Sequence, residues 1–151
     1  MASLEPGFSQ YLTEPQQVLR ASAALPGAGA YDAAPTAIEV MGWSEIALLC
    51  AYTRGAANGS VRFKIEVSYD AAPTVFYQTT LYQAGALAVG ADVNSALQRE
   101  DFTYTSTAAA IERFVYHLEI PSNVKTLRVA AREFGVVGTP GTFAVNAMLS
   151  Y

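Results

Sequence analysis

Charge is what this sequence most lacks. Asp, Glu, Lys and Arg make up 15% of its 151 residues, against roughly 25% in a typical soluble domain. It has one cysteine, one histidine and one tryptophan. A single cysteine closes no internal disulfide, so the chain is not a disulfide-stapled secreted module, and folding in a reducing compartment is compatible with it. Cys50 lies in the apolar run IALLCAY. It reads as a small buried hydrophobe, without the exposure or neighbouring base that a nucleophilic thiol needs. Any catalytic triad or histidine metal site would have to use His117. The nucleotide-binding patterns GxGxxG and GxxxxGK[ST] are missing, as are HExxH and CxxC. Asp32, Asp70 and Asp92 fall in loop-like stretches without the D-x-D-x-D-G spacing of a calcium loop. Glu100 and Asp101 are adjacent, so in an extended segment they point to opposite faces and do not form a glycosidase pair. The expectation is a protein that is not an enzyme and has no cofactor.

Two kinds of partner are also argued against. A formal net charge of −4 is the wrong sign for gripping a nucleic-acid backbone. No apolar run approaches the ~18 residues of a membrane span. The start, MASLEPGFSQYLTEP, has no basic stretch leading into an apolar block, so no signal peptide is expected.

What is present is alternation. In SVRFKIEVSYD, Val61, Phe63, Ile65, Val67 and Tyr69 share one face of an extended segment, and Arg62, Lys64, Glu66 and Ser68 share the other. Period 2 is the mark of a half-buried strand. The turn AAPT and the run VFYQTTLY suggest a hairpin over residues 60–82. Further strands are expected at 17–25, 37–41, 46–53, 101–105, 109–120, 126–134 and 142–151. The run at 46–53 is almost continuously apolar, as for a central strand covered on both sides. Arg54 to Gly59 is a turn, with Asn58-Gly59 suited to the positive φ of a tight hairpin. In 109–120, Phe114, Tyr116, Leu118 and Ile120 oppose Arg113, His117 and Glu119. In 126–134, Leu127, Val129 and Ala131 oppose Arg128 and Arg132, and in 142–151 Phe143, Val145, Ala147, Leu149 and Tyr151 are in register. Arg128 and Arg132 are expected on the strand beside His117, so that a cross-strand polar ladder accounts for the histidine. Residues 84–100 lack alternation, and 92–99 could form one or two helical turns capped by Asp92 or Asn94.

These segments predict an all-β fold: an antiparallel β-sandwich, jelly-roll-like, of eight to nine strands. Residues 1–16 form an extended N-terminal arm and residues 17–151 the sandwich domain. Pro6 and Pro15 punctuate the arm, while Phe8, Tyr11 and Leu12 give it apolar anchors for docking on a neighbour. Trp43, in a loop, and Tyr77, on a strand, are the other candidate interface residues, because aromatic rings suit a protein interface or a sugar. The low charge implies that part of the surface is covered by other copies of the chain.

The run FKIEVSYDAAPTVFYQ resembles the strand, S-x-D, turn, aromatic-strand hairpin of discoidin-like and carbohydrate-binding β-sandwiches. TLRVAAREFG, at 126–135, resembles the late strand of such modules. The proline-punctuated start, the Ala/Thr/Gly-rich acidic sandwich and the abrupt final strand are together similar to tailed-bacteriophage virion proteins, in particular capsid decoration (cement) proteins. That resemblance implies a homo-oligomer, with a trimer favoured. It also implies binding to the major capsid protein or another virion protein, and a place on the capsid surface after synthesis in the host cytoplasm. The alternative is a carbohydrate-binding module for receptor binding or adhesion.

Overall fold

A computed structural model describes residues 16–27, 30–82, 97–99, 101–134 and 138–151. The described residues form strands and no helix. In chain order the strands are β1 (Gln17–Ala24), β2 (Ala37–Glu39), β3 (Glu45–Thr53), β4 (Ser60–Ser68), β5 (Tyr77–Gln78), β6 (Thr80–Tyr82), β7 (Leu97–Arg99), β8 (Asp101–Thr105), β9 (Glu112–Glu119), β10 (Thr126–Phe134) and β11 (Thr142–Ser150). Two antiparallel sheets pack face to face as a β-sandwich. One has the order β1-β11-β3-β9 and the other β2-β10-β4-β5, with β8 also paired to β4. Their nine strands match the expected eight to nine, and β6 and β7 form a separate pair.

The core is built by alternate residues, because successive side chains on a strand point to opposite faces. Ile46, Leu48, Cys50 and Tyr52 of β3, with Phe143, Val145, Ala147 and Leu149 of β11, are buried on one side. Val61, Phe63, Ile65 and Val67 of β4, with Leu127, Val129 and Ala131 of β10, are buried on the other. Phe63 joins the layers, with its ring centroid 5.7 Å from Phe143 and 6.3 Å from Phe114.

Polar groups hold the sandwich at its edges. Among the described residues, β10 has no further strand on that side beyond its three pairs with β2. The loop after β1 takes over. Asp32 N–H donates to Ala131 O, Ala131 N–H donates to the Asp32 carboxylate at 3.0 Å, and Glu133 N–H donates to Pro26 O. The same carboxylate receives Arg20 Nε at 2.9 Å and Nη2 at 3.1 Å. Arg20 is on β1, so this pair ties an edge of one sheet to an edge of the other. Inside, Glu133 is 1% exposed, accepts Tyr52 O–H at 3.1 Å and Gly141 N–H at 3.0 Å, and so has both oxygens satisfied. Burial, then the Glu133 carboxylate beside it, raises the Tyr52 phenol far above its ordinary range.

Several expectations are corrected. The hairpin over 60–82 is short: β5 matches only Glu66 and Val67, and Thr79 N–H adds one bond to Ile65 O. The chain then leaves as β6, and β8 pairs with β4 from Ser60 to Lys64. The deciding contacts are long-range, since β8 lays Phe102 on Phe63 at 5.2 Å and Tyr104 on Phe114 at 4.2 Å. The turn at 54–59 makes a crossing between sheets instead of a hairpin, because β11 and β9 already flank β3. Asn58 there takes φ 61°, while the role of Gly59 is space: a Cβ would come within 2.9 Å of Tyr52 Oη. β3 is central but covered on one side only, alternating buried and half-buried. Residues 97–99, expected in a helical turn, are the strand β7. The rest of 84–100, and the arm with Phe8, Tyr11 and Leu12, lie outside the described residues.

Candidate functional site

Two surfaces stand out. The first is the outer face of the β1-β11-β3-β9 sheet. Register puts Val18, Asn146, Leu49 and Val115 in one row across all four strands. Val18 is 56% exposed and Val115 51%. Ala47, Leu49, Ala51, Ala144 and Met148 fill the neighbouring positions, half-buried. A shallow groove of about 360 Å³ crosses this face between Gln16, Leu49, Ala51, Arg113, Val115 and Asn146. Sequence reading missed this face because it took the IALLCAY run as covered on both sides. The signal was there in Val115, an apolar residue on the polar side of its strand.

The outer face of the other sheet is the opposite in character. Arg62, Lys64, Arg128 and Arg132 line it, and each cation lies over an aromatic ring. Arg62 is 3.6 Å from the centroid of Phe134, Arg128 3.8 Å from Phe76, and Lys64 4.7 Å from Tyr31. Glu66 bridges Lys64 and Arg128 at 3.7 and 3.3 Å.

The second surface is the end of the sandwich where β3 begins and β9 ends. Tyr77 is 58% exposed and Tyr69 43%, with ring centroids 6.1 Å apart. They border a cleft of about 390 Å³ that also takes in Gln78, Leu118, Glu119 and Pro121. Trp43 is on the far side of Ile120, which lines the recesses beside both aromatics. Its ring stacks on Tyr151 at 4.5 Å and packs against the core, so it is half-buried, not a free platform. Of the predicted interface residues, then, Tyr77 is exposed and Trp43 is largely used in packing. Tyr151 as its partner was missed, having been read in register with Phe143, Val145, Ala147 and Leu149 on the last strand.

The candidate chemical groups are placed as follows. Cys50 is 3% exposed, and burial pushes its thiol up to about 12, so the thiolate is negligible at neutral pH. His117 is exposed, opposite Ala47 on β3. Arg128 and Arg132 are in the other sheet, so the expected ladder beside His117 reduces to Glu45 and Glu119, which share an open groove with it. Asp32 is held by Arg20, Asp70 is an exposed turn residue, and Asp92 and Glu100 lie outside the described residues. Among the described residues no group of three His, Cys, Asp or Glu side chains is placed to hold a metal ion.

One carboxylate is unusually well provided with donors. Glu112 accepts Ser106 O–H at 2.5 Å, Tyr104 O–H at 2.7 Å, Thr107 N–H at 2.9 Å and Ala108 N–H at 3.1 Å. The Ser106 and Tyr104 hydroxyls first, then the two backbone amides, lower its pKa to about 2. Its work is to fix the crossing from β8 to β9, with donors from the end of β8 (Tyr104) and from the turn that follows it (Ser106 to Ala108). Comparison with protein-family models, with curated proteins and with solved structures finds no match for this chain.

Proposed function

We propose that this protein is a non-enzymatic structural component of a tailed-bacteriophage particle, a capsid decoration or cement protein that associates with itself and binds the shell. The observation carrying this reading is the apolar patch on the outer face of the β1-β11-β3-β9 sheet, where Val18 and Val115 are exposed and Ala47, Leu49, Ala51, Ala144 and Met148 are half-buried. An extended apolar face on a soluble domain is the usual signature of a surface covered by protein. The low charge of the whole chain agrees with it.

Strand order lends further support. Taking β8 as the outer partner of β4, the sheets run β1-β11-β3-β9 and β2-β10-β4-β8. We take this as a jelly-roll path, an architecture used by viral capsid and lectin domains. Binding would draw its free energy from buried apolar area. Antibodies raised against the recombinant chain should label particles purified from the source, and quantitative mass spectrometry should give a copy number in fixed proportion to the major shell protein. Purified particles without the chain would end this reading.

A second reading, a carbohydrate-binding module, is favoured by one observation: the open cleft between Tyr69 and Tyr77, flanked by Gln78 and Glu119. Exposed rings beside amide and carboxylate groups can stack on a sugar and bond its hydroxyls. Glycan-array binding that is lost in Tyr77→Ala would support it, and an array without signal would remove it.

A further inference from the structure

We propose that two copies of this chain join edge to edge through β9, antiparallel, in a two-fold dimer whose register is set by Arg113 of each copy facing Glu119 of the other. The proposal deepens the self-association in the shell-binding reading and rests on it for biological purpose, but its geometry comes from the sheet edges.

A strand at a sheet edge offers a row of unpaired N–H and C=O groups, and will pair with another strand unless something blunts it. The other edges are blunted. β1 has register shifts between Val18 and Arg20 and between Arg20 and Ala23. β2 has three residues, β5 two and β8 five. β9 is different. Its eight residues pair with β3 in unbroken register, and it contains no proline or lysine. Among the described residues no strand pairs with its other side.

The charges on β9 point to its partner. Arg113, Val115, His117 and Glu119 form its outward row, all exposed. Neither Arg113 nor Glu119 is in an ion pair among the described residues. Glu119 stands directly opposite Glu45, also exposed. Like charges in direct cross-strand register repel. One end of the row therefore carries two unneutralised carboxylates and the other an unneutralised guanidinium. An antiparallel second copy reverses the row and brings unlike ends together.

Symmetry narrows the registers further. A two-fold axis normal to the sheet keeps outward residues opposite outward residues. Centred on Tyr116, the pairing sets Arg113 against Glu119 of the second copy and Val115 against its His117, each twice. Centred on Val115, it sets Arg113 against His117 and leaves both carboxylates unpaired. Centred on His117, it sets Glu119 against Val115 and leaves Arg113 beyond the strand. A single register thus pairs opposite charges. It also fuses two four-stranded sheets into one.

The test is sedimentation equilibrium and light scattering on the full chain. The wild type should be a dimer. Arg113→Glu and Glu119→Arg should each weaken dimerisation by at least about tenfold, since each puts like charges in register. The double variant restores opposite charges at both sites and should return to within about threefold of wild type. Circular dichroism melts check that each variant folds. Should a charge variant fail to fold, Val115→Lys serves instead, as a lysine at the middle of the edge should dissociate the dimer. A monomeric or trimeric wild type overturns the proposal, as does a double variant no tighter than the singles, or a dimer indifferent to Val115→Lys. A trimer found in purified particles would end the dimer and leave the shell-binding reading standing. A dimer absent from particles would do the reverse.

Discussion

At the scale of single residues, the strongest polar positions are structural and make their own predictions. Glu112 has a pKa of about 2 in the folded chain against an ordinary 4.5. A carboxylate held that low stabilises the fold fully above its unfolded pKa, and the contribution is lost as pH falls from about 4.5 through about 2. Glu112→Gln should therefore lower Tm most at neutral pH, and the gap from wild type should close as pH approaches 2. Thermal melts across that range check it. Asp32 is the other such position. It accepts from Arg20 and from Ala131 N–H, and its side chain is 19% exposed. Asp32→Ala leaves the Ala131 N–H and Arg20 Nε without their acceptor, while the guanidinium keeps its bonds to the Ala23, Ala24 and Phe143 carbonyls, and should cost about 1–3 kcal/mol in denaturant unfolding. Neither role was legible in the sequence. Glu112 read as a strand residue and Asp32 as a possible metal ligand, because the donors they serve are set by how loops fold back, not by local pattern.

At the scale of elements, alternation told which residues of β4, β10 and β11 face inward, and the buried rows agree with it through Leu149. Tyr151 breaks the row, because β11 ends at Ser150 and the ring turns onto Trp43. Pairing was not legible. Sequence proximity favoured a long hairpin after β4, whereas β8, about forty residues away along the chain, takes half of that edge through Phe102 and Tyr104. Phe102→Ala should thus act on a specific pair of strands. The expected loss is about 2–3 kcal/mol, with faster amide exchange in β8 and along Ser60 to Lys64. Unchanged exchange there would mean that β8 is held by its backbone alone.

At the scale of the whole molecule, the sandwich has one core shared by both sheets, and Cys50 is in it, 3% exposed. With its thiol pushed up to about 12 by burial, it should react with a disulfide reagent only when the sandwich opens. Labelling rates should then fall in step with global stability as denaturant is removed. Rapid labelling in native buffer would instead reveal a local opening of β3. The same wholeness explains why the candidate surfaces were only half visible in advance. Tyr77 is exposed as expected. The row from Val18 through Asn146 and Leu49 to Val115 exists only because four strands distant in sequence lie side by side.

By itself the sequence determined the all-β class, the approximate places of most strands and the inward faces of β4, β9, β10 and β11. These follow from a two-residue backbone period that any local stretch expresses. The tertiary structure alone decided which strands are neighbours, which sheet face carries exposed apolar residues, and that, among the described residues, no strand lies beyond β9 in its sheet. These depend on contacts between residues far apart in the chain, where ring packing and the closing of loops outweigh local preference.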